Sequence, residues 1–239
     1  MKKKYVVLPL ILLLSAALMI GGCGKKYNTE TDQTAGNTTE QTTPVEPTPT
    51  PTPEPATPTP TPTHMSWDSP PAMEIDSTKS YEAEVTTSKG TFTIELYAKD
   101  APKTVNNFVF LSKQGFYKDV IFHRIIETFM IQTGDPEGTG MGGPGYSFED
   151  EKTSYQYEPG IVAMANAGPD TNGSQFFICT GDDSTSLNMQ PNYTIFGKVT
   201  DGMDVVKEIA ATPVEVGISG EMSSPTETIQ IKEIKITEK

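Results

Sequence analysis

Cysteine and histidine are almost absent: the 239 residues hold two of each, Cys23 and Cys179, His64 and His123. That excludes a disulfide framework and a clustered metal site, because each needs several such residues at close spacing. Two histidines also give little support to a Ser-His-Asp hydrolase. Positive charge is scarce: 18 Lys+Arg stand against 31 Asp+Glu, a formal net charge of −13. No basic run lies beyond the extreme N-terminus, so no nucleic-acid partner is expected. Proline is plentiful but uneven, with nine of the 20 between Pro44 and Pro62. A segment of Pro and Thr cannot bury enough apolar surface to offset its ordering entropy, which leaves one globular domain of about 160 residues.

Long hydrophobic runs are limited to one. Lys2, Lys3 and Lys4 precede an apolar stretch from Tyr5 to Ile20, the charged and apolar regions of a secretory signal. As a membrane span it is short, since a hydrocarbon core needs about 20 apolar residues and Pro9 interrupts this run. The segment ends in Ile20-Gly21-Gly22-Cys23, which resembles the lipobox of bacterial lipoprotein signal peptides. The resemblance implies a bacterial source, removal of residues 1–22, a diacylglyceryl group on Cys23, and a membrane partner held through that lipid. Residues 23–78 then read as a disordered linker. Its stretch from Thr43 to Thr63 favours polyproline II and, at about 3.1 Å per residue, spans roughly 60 Å. The single tryptophan, Trp67, falls in this region and is assigned no role.

From Tyr81 the texture changes. Glu82 to Thr87 and Thr91 to Tyr97 alternate around Ser88-Lys89-Gly90, which predicts a hairpin. A helix follows, with Asp100 as its cap, Pro102 in its first turn, Val105, Phe108 and Val109 at helical spacing, and Gly115 at its end. Short apolar runs then read as strands: Val120 to Ile126, Phe129 to Gln132, Ile161 to Asn166, Gln175 to Thr180 and Thr194 to Val199. Asp201 to Ala211 has a second helical pattern, and Thr228 to Thr237 reads as a closing strand. In that strand Ile229 and Ile231 alternate, as do Ile234 and Ile236, with two polar residues between the pairs; a β-bulge would keep all four on one face. Many short strands with two helices suggest an antiparallel barrel or sandwich.

The run from Phe122 to Asp135, FHRIIETFMIQTGD, places the domain's only arginine among apolar residues. Arg124 either bridges a carboxylate or projects into an apolar cleft as a donor. A second run, Gly160 to Thr180, joins two apolar strands by a polar loop and carries Asn166, Gln175 and Phe177. Together with Gly138 to Glu151 and Tyr193 to Val199, these runs resemble the signature segments of cyclophilin-type peptidyl-prolyl cis-trans isomerases. The resemblance covers residues 79–239 and implies a mainly β domain, an eight-stranded antiparallel closed β-barrel with two flanking α-helices. It implies that Arg124 is catalytic, assisted by Gln132, and that Phe129, Met130, Phe177 and Leu187 line a proline pocket. Gln132 and Asn166 would hold the substrate backbone, with Ala165 and Gln175 beside them and Tyr193 at the rim. No metal, nucleotide or other cofactor is implied. The expected partners are proline-containing unfolded or newly exported proteins outside a bacterial membrane, met by a monomeric domain; a non-catalytic module holding proline segments is the alternative.

Two departures bear on cyclosporin affinity more than on isomerisation. Ser186 stands where many members have tryptophan, and Tyr193 where many have histidine. Glu127-Thr128 also replaces the Pro-Gly often found before the phenylalanine. Other signals point to structure. Gly138-x-Gly140-x-x-Gly143 is a literal dinucleotide-binding pattern, yet Pro144-Gly145 follows where a helix should begin, so a loop is expected. His123 should point away from Arg124 by strand alternation. Cys179 in FFIC reads as a buried small hydrophobe, and Glu149 to Glu151, Asp182 and Asp183 as solvated loop surface.

Overall fold

The structure is a computed structural model and describes residues 64–217 and 219–239. The signal segment, Cys23 and the linker through residue 63 lie outside the described residues. The expected hairpin is present: β1 (Tyr81–Thr87) and β2 (Gly90–Leu96) pair antiparallel, with Thr87 opposite Gly90. Helix α1 (Pro102–Lys113) follows, then the short strands β3 (Arg124–Ile126), β4 (Met130–Thr133), β5 (Ile161–Met164) and β6 (Phe176–Cys179). A 3-10 helix (Asp182–Met189) precedes β7 (Ile195–Asp201) and α2 (Met203–Ala210). The chain ends with the small hairpin β8 (Val214–Val216) and β9 (Met222–Pro225), and then β10 (Ile231–Glu238).

Eight strands form one antiparallel sheet in the order β10-β1-β2-β7-β5-β6-β4-β3. It curls until its two edges meet just outside the ladders. Asp119 N–H donates to Ile231 O at 2.8 Å and Phe122 N–H to Ile229 O at 2.9 Å, while Ile231 N–H donates back to Val120 O at 2.9 Å. The barrel is thus closed by a seam at the strand approaches, where Ile121 and Gln230 form an isolated bridge, rather than by a full β3–β10 ladder. The bulge predicted in the last strand is there: Thr86 pairs with Glu233 and Thr87 with Ile231, so Lys232 is the extra residue. Ile229, Ile231 and Ile234 are consequently buried, and Ile236 packs against the same core.

Period-2 alternation sorts the central strands between two apolar clusters. Ile125, Ile131, Val162, Met164, Phe176 and Ile178 face the interior. There Phe108 of α1 sits 5.3 to 5.5 Å, centroid to centroid, from Tyr117, Phe176 and Phe196. Met130, Ala163, Phe177 and Cys179 face outward and are covered by a second cluster that includes Tyr157, Leu187 and Tyr193. Burial on both faces is why MIQT, IVAM and FFIC read as nearly continuous apolar runs.

Helix α1 departs from the expected capping. Ala101 is the N-cap residue, without a side-chain cap. Asp100 instead accepts the Tyr155 hydroxyl at 3.0 Å. The free N–H groups of Lys103 and Thr104 are taken by the Glu151 carboxylate, at 3.0 and 2.8 Å. A negative charge there also suits the helix dipole. Glu151 is therefore anchored rather than loose loop surface, and Glu149 pairs with Lys103. Gly115 does end the helix: at φ +75° it lets Phe116 N–H reach back to Leu111 O.

The linker boundary also moves. Trp67 packs on Phe110 and Phe116 at centroid distances of 5.2 and 5.9 Å, and its backbone N–H donates to Pro144 O at 2.9 Å. Ile75 is buried, and Glu74 and Ile75 N–H groups donate to Asn106 Oδ1. Residues 66–78 thus pack on the barrel, and composition missed this because the covering surface lies far along the chain. Gly145 makes the close approach possible: a Cβ there would lie 2.2 Å from Ser66 Oγ.

Candidate active site

Outward-facing residues of β3, β4 and β6 converge on a concavity of about 240 Å³ lined by Arg124, Phe129, Met130, Gln132, Ala165, Asn166, Phe177, Leu187 and Tyr193. Register explains much of this. Arg124 is directly opposite Gln132 across β3–β4, and Gln132 is opposite Phe177 across β4–β6, so the three side chains rise from one face in a row. The β3–β4 turn closes with Phe129 N–H donating to Ile126 O at 2.9 Å, so Glu127-Thr128 is accommodated and Phe129 reaches the pocket.

The far wall comes from longer-range contacts. Phe177 and Tyr193 meet edge to face at 5.4 Å. The Tyr157 hydroxyl donates to Tyr193 O at 2.5 Å and accepts Tyr193 N–H at 3.1 Å, which fixes the rim. Burial pushes that phenol up to about 12, so it stays a donor. Asn188 exchanges two hydrogen bonds with the Tyr157 backbone and so holds the 3-10 helix that presents Leu187. Ser186 is exposed and donates back to Asp183 O at 2.7 Å. Asn166 is steadied by donation to Asn192 O at 2.9 Å.

Polar atoms at the pocket are linked in a chain. Arg124 Nη1 donates to Gln132 Oε1 at 3.4 Å and lies 3.6 Å from Met130 Sδ. Gln132 Nε2 donates to Gln175 Oε1 at 2.9 Å, and Gln175 Nε2 donates to Gly142 O at 2.9 Å. Gln175 therefore stands behind Gln132, facing an adjacent groove of about 620 Å³, rather than lining the pocket. The two readings of Arg124 turn out to be compatible. Its Nε and Nη2 donate to Glu221 Oε2 and Oε1 at 2.7 and 3.0 Å, while Nη1 faces the pocket. The hydrogen bonds from Arg124 hold the Glu221 carboxyl below the usual carboxylate range, against the opposing effect of partial burial.

Glu221, Tyr157 and Asn188 were not legible in the sequence. Nothing local distinguishes one carboxylate among 31 acidic residues, and the β8–β9 hairpin that carries Glu221 has no strong apolar alternation. His123 also differs from its expected orientation. It precedes β3, and with Arg124 it borders a groove of about 730 Å³ beside that hairpin. Burial, aided by the nearby Arg124 charge, lowers the His123 pKa, and Asp135 opposes this. Cys179 is fully buried and its thiol is pushed up to about 11, as befits an inert core residue. The glycine-rich segment is a loop wrapped on Asp135, which accepts the N–H groups of Glu137, Thr139 and Gly140 at 2.6 to 2.9 Å.

A curled eight-stranded antiparallel barrel with an outer-surface pocket that presents a guanidinium beside apolar walls and amide side chains defines a class of proline-directed isomerase. The model of the family described as cyclophilin type peptidyl-prolyl cis-trans isomerase/CLD matches residues 82–236, and the chain belongs to this family of isomerases. Peptidyl-prolyl cis-trans isomerase CYP18-2 of Arabidopsis thaliana is 45% identical over 139 residues, which are 56% of this chain and 83% of that relative. The crystal structure of a cyclophilin type peptidyl-prolyl cis-trans isomerase of Cryptosporidium parvum superposes with a TM-score of 0.60 at 37% identity, covering 66% of this chain and 98% of the other. A structure of that Cryptosporidium parvum protein in the presence of the dipeptide Ala-Pro gives a TM-score of 0.59 at 37% identity, over 65% and 98% of the two chains.

Proposed function

We propose that this isomerase acts on X-Pro bonds of proteins emerging on the outer face of a bacterial membrane, anchored there by a lipid on Cys23, with Arg124 as its catalytic donor. The observation that carries the catalytic assignment is the convergence of Arg124, Gln132 and the Phe129, Met130, Phe177 and Leu187 walls on one small concavity. An X-Pro bond turns slowly because its amide loses resonance in the twisted state, over a barrier of about 20 kcal/mol. Twisting leaves a lone pair on the prolyl nitrogen. A guanidinium N–H donating to that nitrogen is worth more in the twisted state than in either planar state, which is the condition for lowering the barrier. The apolar walls hold the ring, and Gln132 and Asn166 fix one flank of the peptide while the other rotates. Raising a rate from about 0.01 to about 1000 per second requires about 7 kcal/mol, within reach of preorganised donors and restricted rotation acting together.

The test is isomerisation of a short X-Pro peptide by the full chain and by Arg124→Ala, each checked for folding by circular dichroism. A folded Arg124→Ala protein is expected to lose at least about a hundredfold in kcat/KM. Unchanged turnover would overturn the role of Arg124, and a wild type no faster than the free peptide would favour a module that merely holds proline segments.

Anchoring is supported by the Lys2–Lys4 and Tyr5–Ile20 signal pattern ending at Ile20-Gly21-Gly22-Cys23. With cleavage before Cys23, residues 23–63 become a Pro/Thr-rich spacer, and residues 66–78 join the barrel. In a bacterial host fed labelled palmitate, the wild type should take up the label and Cys23→Ser should not. Label in neither protein, or in both, would refute a lipid on Cys23.

A further inference from the structure

We propose that Glu221 is a positioning residue for isomerisation: it grips Arg124 by Nε and Nη2 and so presents the Nη1 edge of the guanidinium to the proline pocket. This rests on the reading of Arg124 as the catalytic donor and assigns how that donor is aimed. Strand β3 is only three residues long and lies at the edge of the sheet, so its own ladder cannot hold the end of a side chain with four rotatable bonds. A carboxylate can, because two parallel N–H to oxygen bonds fix the plane of a guanidinium as well as its place. The two contacts at 2.7 and 3.0 Å use exactly one fork of Arg124. What remains is Nη1, which sits between Gln132 Oε1 and Met130 Sδ at the pocket.

Glu221 reaches this place because the β8–β9 hairpin packs against β3. Gly220, at φ +80°, makes the turn before it, and Gly217 N–H donates to Glu221 O at 2.8 Å, so the backbone that carries the carboxylate is itself tied. The pair is partly open to solvent, with side-chain exposures of 32% for Arg124 and 38% for Glu221. An ion pair this exposed stabilises a fold little, so its geometry matters more for aiming the guanidinium than for holding the barrel together.

The experiment measures kcat and KM separately for one X-Pro peptide with the full chain, Arg124→Ala, Glu221→Ala, Glu221→Gln and the double variant Arg124→Ala/Glu221→Ala. Glu221→Ala is expected to lower kcat about tenfold with KM changed less than about twofold. Glu221→Gln keeps one carbonyl acceptor for the guanidinium and is expected to recover part of that loss. In the Arg124→Ala background the Glu221 substitution should cost nothing further, because the two side chains act as a unit. Wild-type kcat in a folded Glu221→Ala protein, with Arg124→Ala slow, overturns the positioning role and leaves the catalytic reading intact. Wild-type kcat in Arg124→Ala overturns the catalytic reading itself. A further loss in the double variant places the effect of Glu221 elsewhere and also refutes the proposal. Should Glu221→Ala fail to fold, the nearly isosteric Glu221→Gln decides: unchanged kcat refutes the proposal, and a loss of kcat at unchanged KM supports it.

Discussion

Arg124 and Gln132 are cross-strand partners in the β3–β4 ladder, and their side chains meet on the outer face with Nη1 and Oε1 3.4 Å apart. Gln132 in turn donates to Gln175, whose amide donates to the loop carbonyl of Gly142. The amide chain sets which end of Gln132 faces the arginine: the oxygen toward Arg124 and the nitrogen toward Gln175. Gln132→Ala is therefore expected to lower kcat/KM about tenfold, and Gln175→Leu to lower it less, through loss of the support behind Gln132. Peptide isomerisation kinetics for both variants check this; equal losses would contradict the order of the chain.

Glu151 acts at a distance on α1. Replacing it with alanine leaves the N–H groups of Lys103 and Thr104 without their acceptor. A lost cap costs about 1 kcal/mol, and in a domain of this size that corresponds to a fall in Tm of about 2–4 °C. Thermal unfolding followed by circular dichroism measures it. Asp100→Ala, which removes only an exposed bond to Tyr155, is expected to shift Tm by less.

His123 makes stability depend on pH. Neither ring nitrogen meets a hydrogen-bond partner among the described residues, and its pKa is lowered by burial and by Arg124, with Asp135 opposing. Between the lowered folded pKa and the unfolded value of about 6.5, the unfolded chain binds a proton that the folded chain does not. The contribution of His123 is thus fully present above about pH 6.5 and is lost as pH falls toward the folded pKa. Urea midpoints at pH 7 and pH 5 should show a decline for the wild type and a shallower one for His123→Gln.

Trp67 reports on the segment before the barrel. Its ring rests on Phe110 and Phe116, so Trp67→Ala is expected to destabilise the domain by about 2 kcal/mol, less than the full loss for a completely buried tryptophan. Denaturant unfolding measures it. Being the single tryptophan, Trp67 also gives wild-type fluorescence that should shift to the red in the same transition seen by circular dichroism. Separate transitions would mean that residues 66–78 detach before the barrel unfolds.

Much of the architecture was legible because it depends on short-range pattern. The short apolar runs within FHRIIETFMIQTGD and FFIC were enough to place Met130, Gln132 and Phe177 on strands, and the paired isoleucines between Ile229 and Ile236 announced the bulge at Lys232 before any partner strand was known. Gly115 marked the end of α1 for the same reason, since a left-handed backbone there suits glycine. The identities of the pocket residues came from family resemblance rather than from periodicity, which cannot say which outward-facing residues will meet.

What only the tertiary structure decided are contacts between residues far apart in the chain. Glu221 lies 97 positions from the arginine it grips, Glu151 47 positions from the helix N–H of Thr104 that it caps, and Ile75 31 positions from the Asn106 oxygen that binds its N–H. In each case the local sequence offers a polar or apolar residue with no sign of its partner. Folding alone selects it, by bringing an unsatisfied donor or an uncovered apolar surface within reach.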